Sequence, residues 1–127
     1  MTLVVIIAAI ALAEYGVFVI QCGQARGRFG VAAPATAGHP VFERYFRVQQ
    51  NTIEQLVIFL PALFMFAWFV STRWAVLFGL LFIVGRALYA RGYVADPAKR
   101  GPGFLCTVIA NAALLLGGVV GALIALR

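Results

Sequence analysis

Four long apolar runs organise the chain, over residues 3–20, 45–70, 74–93 and 104–126, and the polar residues cluster between them. Each run comes near or exceeds the roughly 20 residues that carry a helix across a bilayer. The pattern predicts an all-α integral membrane protein, a bundle of four transmembrane helices near residues 2–26, 43–70, 74–95 and 103–126, in a single domain over residues 1–127. Gly27, Gly30, Pro34, Gly38 and Pro40 mark the longest connection as a turn-rich loop, and His39 reads as a solvated residue within it. Ser71-Thr72-Arg73 is so short that helices two and three must form a tight antiparallel hairpin. Asp96-Pro97 supplies the stop after helix three. Pro61 falls inside helix two, where its missing N–H favours a kink. The small residues Ala113, Gly117, Gly121 and Ala125 recur every fourth position in helix four, a row that lets another helix approach within the subunit or between subunits.

Polar residues inside these runs are the informative exceptions, because an ionisable side chain in a membrane helix is costly and normally faces a partner or a wet cavity. Arg47, Asn51 and Glu54 stand at i, i+4 and i+7. At about 100° per residue they fall within roughly 60° of one helical face. Arg86, Tyr89 and Tyr93 repeat nearly that spacing in the third run. The short hairpin makes the two stripes neighbours. Arg47 and Asn51 offer donors suited to a carboxylate and Glu54 an acceptor for an ammonium, together a site for an amino-acid head. Tyr89 and Tyr93 add hydroxyls and flat walls, Arg26 adds a cation at the end of helix one, and Arg100 stands where it can stabilise an anion at the mouth. The simpler reading also fits: Arg47 and Glu54 neutralise each other, the tyrosines are interfacial anchors, and Arg100 is a topology charge.

Composition narrows the class. Of 127 residues 64% are hydrophobic and 11% charged, too apolar for a soluble domain of this size. The net charge of +6 is mostly asymmetry: Arg26, Arg28, Arg44 and Arg47 flank the first loop and Arg91, Lys99 and Arg100 the third, against Arg73 and Arg127 on the other side. The positive-inside rule places loops one and three in the cytoplasm and both termini on the non-cytoplasmic side. Cations at membrane ends do not make a nucleic-acid surface. Run one has no basic start and is interrupted by Glu14, so it reads as a retained helix rather than a signal peptide. Cys22 and Cys106 have no paired spacing and no clustered histidines; they read as small apolar fillers, with no metal expected. Asn111 reads as an interhelical hydrogen-bond partner in helix four, and Glu14 as another facing the bundle interior.

The stretch Phe42-Glu43-Arg44-Tyr45-Phe46-Arg47-Val48-Gln49-Gln50-Asn51-Thr52-Ile53-Glu54 resembles the signature of the membrane-associated proteins in eicosanoid and glutathione metabolism. Gly85-Arg86-Ala87-Leu88-Tyr89-Ala90-Arg91-Gly92-Tyr93, with Arg100 seven residues later, matches a second part, and the helix and loop lengths extend the resemblance over the whole chain. It implies a homotrimer in a bacterial inner membrane with glutathione as co-substrate, held at subunit interfaces on the cytoplasmic side. Arg47, Asn51, Glu54, Tyr89 and Tyr93 would hold glutathione, and Arg26 and Gln49 of a neighbouring subunit would reach its other end. Arg100 would stabilise the thiolate, the reactive species. A hydrophobic electrophile or lipid would enter from the lipid side: a halide, an epoxide, an enone, or a lipid hydroperoxide for a peroxidase activity. Gln55 stands where the leukotriene synthase branch has a tyrosine, and Gly27 where that branch has a second consecutive arginine. Both departures count against leukotriene synthesis and leave general glutathione transfer as the expectation. Two other functions compete with it: a non-catalytic lipid- or partner-binding member of the same fold, and a small multidrug transporter using Glu14.

Overall fold

The computed structural model describes all residues, Met1–Arg127. Four helices follow one another: α1 (Thr2–Arg28), α2 (Pro40–Phe69), α3 (Thr72–Ala95) and α4 (Gly101–Ala125), with a single 3₁₀ turn over Pro97–Arg100 ahead of α4. All four are long and apolar enough to span a membrane. α2 and α3 each pack against both α1 and α4 and form the middle of the bundle.

Local chemistry sets the helix ends. α2 starts at Pro40, three residues before the sequence reading put it, because the His39 side chain caps it: Nδ1 accepts from the Val41 N–H at 3.2 Å, with proline at the first helical position. His39 is therefore a cap and not a free loop side chain, and its ring stacks on Phe29 with centroids 4.2 Å apart. His39→Ala is expected to cost about 1 kcal/mol, the usual value of an N-cap, read as a lower melting temperature in detergent. Ser71 caps α3 through Oγ, and Asp96 caps the 3₁₀ turn by accepting from Ala98 N–H at 3.1 Å.

The core runs along the bundle axis. Val4, Ile7, Ala8 and Ala11 of α1 meet Leu56, Phe59, Ala62, Leu63, Phe66 and Ala67 of α2, Ala75 and Phe82 of α3, and Ala110 and Leu114 of α4. Phe59 and Phe82 stack at 3.8 Å at its centre. Around it, large apolar side chains such as Ile20, Val57, Trp68, Leu116 and Ile124 point outward. Water would penalise that surface and lipid accepts it. The small-residue row of α4 is used within the subunit: a Cβ at Gly117 would strike the Phe66 ring, and one at Gly121 would meet Phe69 and Val70.

Two arginines gather the polar connections at one end. Arg44 Nη1 donates to the Val94 and Ala95 carbonyls at 3.1 and 3.3 Å, satisfying the C-terminus of α3 from the start of α2. Arg26 Nη1 donates to the Ala35 carbonyl at 2.6 Å and to Val31 at 3.3 Å, with its guanidinium 4.7 Å above the Phe42 ring. The first and third connections therefore share one end of the bundle, the end where most of the arginines lie.

Candidate functional site

On α2 the helical period brings Arg47, Asn51 and Glu54 to one face. Arg47 Nη1 lies 3.6 Å from Glu54 Oε1, with the two side chains 48% and 46% exposed. A pair so accessible to solvent is a weak bond, worth roughly 0–1 kcal/mol, so either partner can be drawn to a ligand at little cost. Asn51, between them in sequence, is buried. Its Oδ1 accepts from Arg86 Nη2 at 2.9 Å.

Arg86 is fully buried and sits at the centre of the polar network. Besides Asn51 it donates to Thr52 Oγ1 from Nε at 3.3 Å and from Nη2 at 2.9 Å, and from Nη1 to Thr107 Oγ1 at 3.5 Å. Its guanidinium carbon lies 4.2 Å from the Tyr89 ring centroid. One residue of α3 thus joins α2 to α4. Tyr89 is buried and stacks on the half-buried Tyr93, centroids 5.5 Å apart and 23° from parallel. Arg86 thus joins the two stripes directly, bonded to Asn51 on α2 and lying over the Tyr89 ring on α3.

Close backbone contact fixes this neighbourhood. A Cβ at Gly103 would run into the backbone of Tyr89 and the carbonyl of Gly85, so α4 begins flush against α3. A Cβ at Gly92 would strike the Lys99 carbonyl, so the 3₁₀ turn lies flat on the last turns of α3. Arg100 leaves that turn directly ahead of α4, exposed, with no hydrogen-bond or salt-bridge partner. It is a free cation beside the positive end of a helix, where the two fields add for an anion.

Not every candidate joins this group within one subunit. Gln49 is half-buried on α2, about 160–200° around the helix from Asn51 and Arg47. Arg26 is engaged on its own loop. Two clefts at this end, of about 270 and 400 Å³, lie on the α1 side around Gln21 and Tyr45 and take in neither stripe.

Several partners were out of reach of sequence reasoning. Thr52 and Thr107 carry Arg86, yet a lone threonine in a membrane helix gives no signal of its own. Asn111 does make the interhelical bond expected of it, donating from Nδ2 to Gln55 Oε1 at 3.0 Å. Gln55 is thereby turned toward α4. Glu14 departs from its expected role: its Oε1 is buried as expected of an interior residue, but has no hydrogen-bond partner. Among these side chains there is no cluster of three or more histidine, cysteine or carboxylate groups able to hold a metal ion.

Fold and site together define a multi-pass integral membrane protein with a cationic polar face at one end of a four-helix bundle. The chain belongs to the MAPEG family, whose model matches residues 3–120. It is 42% identical over 122 residues to an uncharacterized protein of the cyanobacterium Synechocystis, covering 96% of this chain and 89% of the relative. It is 38% identical over 120 residues to human microsomal glutathione S-transferase 2, covering 92% and 82%. With rat leukotriene C4 synthase the identity is 37% over 83 residues, covering 65% and 55%. The chain is thus a member of a glutathione-related transferase family.

Proposed function

We propose that this protein is a membrane-bound glutathione transferase that activates glutathione as its thiolate and conjugates it to hydrophobic electrophiles. The observation that supports the reading is the family match, together with Arg47 and Glu54 paired on one face of α2, Tyr89 and Tyr93 stacked on α3, and Arg86 bonded to Asn51 and lying over the Tyr89 ring. Glutathione offers one ammonium, two carboxylates and a thiol. Glu54 takes the ammonium, Arg47 and Asn51 take a carboxylate, and the tyrosines line the peptide. Arg100 then faces the sulfur, where its charge and the start of α4 favour the anion over the thiol.

The reaction needs no nucleophile from the protein. The thiol proton leaves to water, and the thiolate lone pair forms a carbon–sulfur bond as the carbon–halogen bond breaks, the halide departing with its electron pair. With an epoxide the ring oxygen takes that pair and then a proton. A fixed cation at the sulfur contributes because it needs no reorganisation when the charge forms.

The half-exposed Arg47 and Glu54 also favour an assembly. Charges this accessible on a membrane-spanning helix are costly against lipid. A homotrimer would cover that face, and Arg26 and Gln49 of a neighbouring subunit would supply the second wall of the site. The asymmetry of arginines favours a site opening to the cytoplasm of a bacterial cell. The transporter reading loses ground because the carboxylate it would use, Glu14, shares the bundle interior with the buried cation Arg86, which would repel a cationic cargo. Glutathione binding by titration calorimetry, followed by conjugation of a hydrophobic aryl halide, tests the reading. Glu54→Ala is expected to raise the dissociation constant about 10–100-fold, the worth of one charge-assisted bond; an unchanged affinity removes Glu54 from the site.

A further inference from the structure

We propose that Arg86 is a positioning residue that fixes which face Asn51 turns to the ligand, and so makes this part of the site select a carboxylate. The inference rests on the glutathione reading above. A guanidinium carries donors and no acceptor. The Asn51 amide must therefore give Arg86 its oxygen, and it does so at 2.9 Å. That leaves Nδ2, with two N–H donors, directed away from Arg86. Nδ2 has no partner within the chain, and it is absent from the polar atoms sealed in the interior without one, which are Glu14 Oε1 and Asn111 Oδ1. Its two N–H groups are unpaired within the chain and not fully sealed from solvent, and only an acceptor satisfies them.

Arg86 is itself held so that it cannot turn. Thr52 Oγ1 donates its proton to the Val48 carbonyl at 2.8 Å, and Thr107 Oγ1 donates to Gly103 at 3.0 Å. Both hydroxyl protons are spent on their own helices, so only lone pairs remain for the guanidinium. Arg86 has no carboxylate within salt-bridge distance; Glu14 and Glu54 act on it only through their charges. An ion pair would satisfy this buried cation without Asn51. Its absence makes the amide oxygen part of the first set of partners, and the orientation of the amide follows. The flipped amide would set N–H against the guanidinium and a carbonyl against the ligand carboxylate, two repulsions in a site of low dielectric.

A double-mutant cycle on the full-length trimer-competent protein in detergent tests this, reading KM for glutathione and kcat separately. Arg86→Lys, which keeps the charge and loses the fork, is expected to raise KM about tenfold while kcat at saturating thiol changes less than about threefold. In an Asn51→Ala background the same substitution is expected to add nothing to KM, because the residue it acts through is gone. Thr52→Val, nearly the same shape, is the second probe should Arg86→Lys fail to fold; its effect on KM should likewise vanish in the Asn51→Ala background. Asn51→Asp keeps an acceptor for Arg86 and loses both donors, so it should melt no lower than the parent protein yet bind glutathione about 100-fold more weakly. Additive effects on KM, or full affinity in Asn51→Asp, overturn the inference while glutathione binding by the parent protein keeps the functional reading. A parent protein that binds no glutathione overturns both.

Discussion

Arg100→Ala lowers thiol-dependent turnover about 10²–10³-fold, the usual loss when one fixed charge-stabilising group is removed, and leaves the helical fold and melting temperature unchanged. The expectation rests on where the side chain stands. The Arg100 side chain leaves the 3₁₀ turn exposed and makes no hydrogen bond or salt bridge, so no side-chain contact of the bundle depends on it. The turn that carries it nonetheless packs on Gly92, between Tyr89 and the end of α3. A side chain with no structural partner is a clean target for substitution. The effect belongs in kcat and in the fraction of bound thiolate, because the groups proposed to hold the amino-acid head of the ligand, Arg47, Asn51 and Glu54, are left in place. Steady-state kinetics with an aryl halide check it. Turnover within about twofold of the parent, at saturating thiol, would remove Arg100 from the catalytic role.

Gly103→Ala has the largest expected effect on the fold. The added methyl meets the backbone N and Cα of Tyr89 and the carbonyl of Gly85, not the tip of a flexible side chain. Backbone cannot step aside as a side chain does, so α3 and α4 must separate along this contact. Overpacking costs about 1–3 kcal/mol where side chains can adjust, and the upper part of that range or beyond is expected here. Separation would also carry Thr107 away from Arg86 and shift Tyr89 against Arg100. Loss of glutathione affinity should therefore accompany the lower melting temperature. An equal substitution at Gly101, where a Cβ meets nothing within 4 Å, is the control and should leave both intact. A Gly103→Ala protein that melts like the parent would mean that α3 and α4 are less closely packed than described.

The bundle was legible in the sequence because each apolar run is a membrane span by length alone, and the hairpin and the Asp96-Pro97 stop left few ways to connect them. The stripe of Arg47, Asn51 and Glu54 was equally legible, since the helical period puts residues four and seven apart on one face whatever lies beyond. Their partners were not. That the Asn51 amide turns its oxygen to Arg86, 35 residues away, and that Arg86 is held by two threonine hydroxyls whose protons are committed to backbone carbonyls, are contacts between helices. Sequence spacing carries no such information across helices. His39 illustrates the same limit in a loop, where a histidine beside a proline reads as solvated until the chain folds it back over the first amides of α2. Glu14 could be assigned to the interior but not to a partner, because its buried Oε1 meets no hydrogen-bond donor there.

The claim on which everything else depends is that this polar face binds glutathione and holds it as the thiolate. Ultraviolet difference absorption of glutathione mixed with the detergent-purified protein near neutral pH measures that most directly, since the thiolate absorbs where the thiol does not. A saturable thiolate signal, lost in Arg100→Ala while calorimetry still detects binding, is the result this account predicts. No thiolate signal in the parent protein at glutathione concentrations that saturate binding would contradict it.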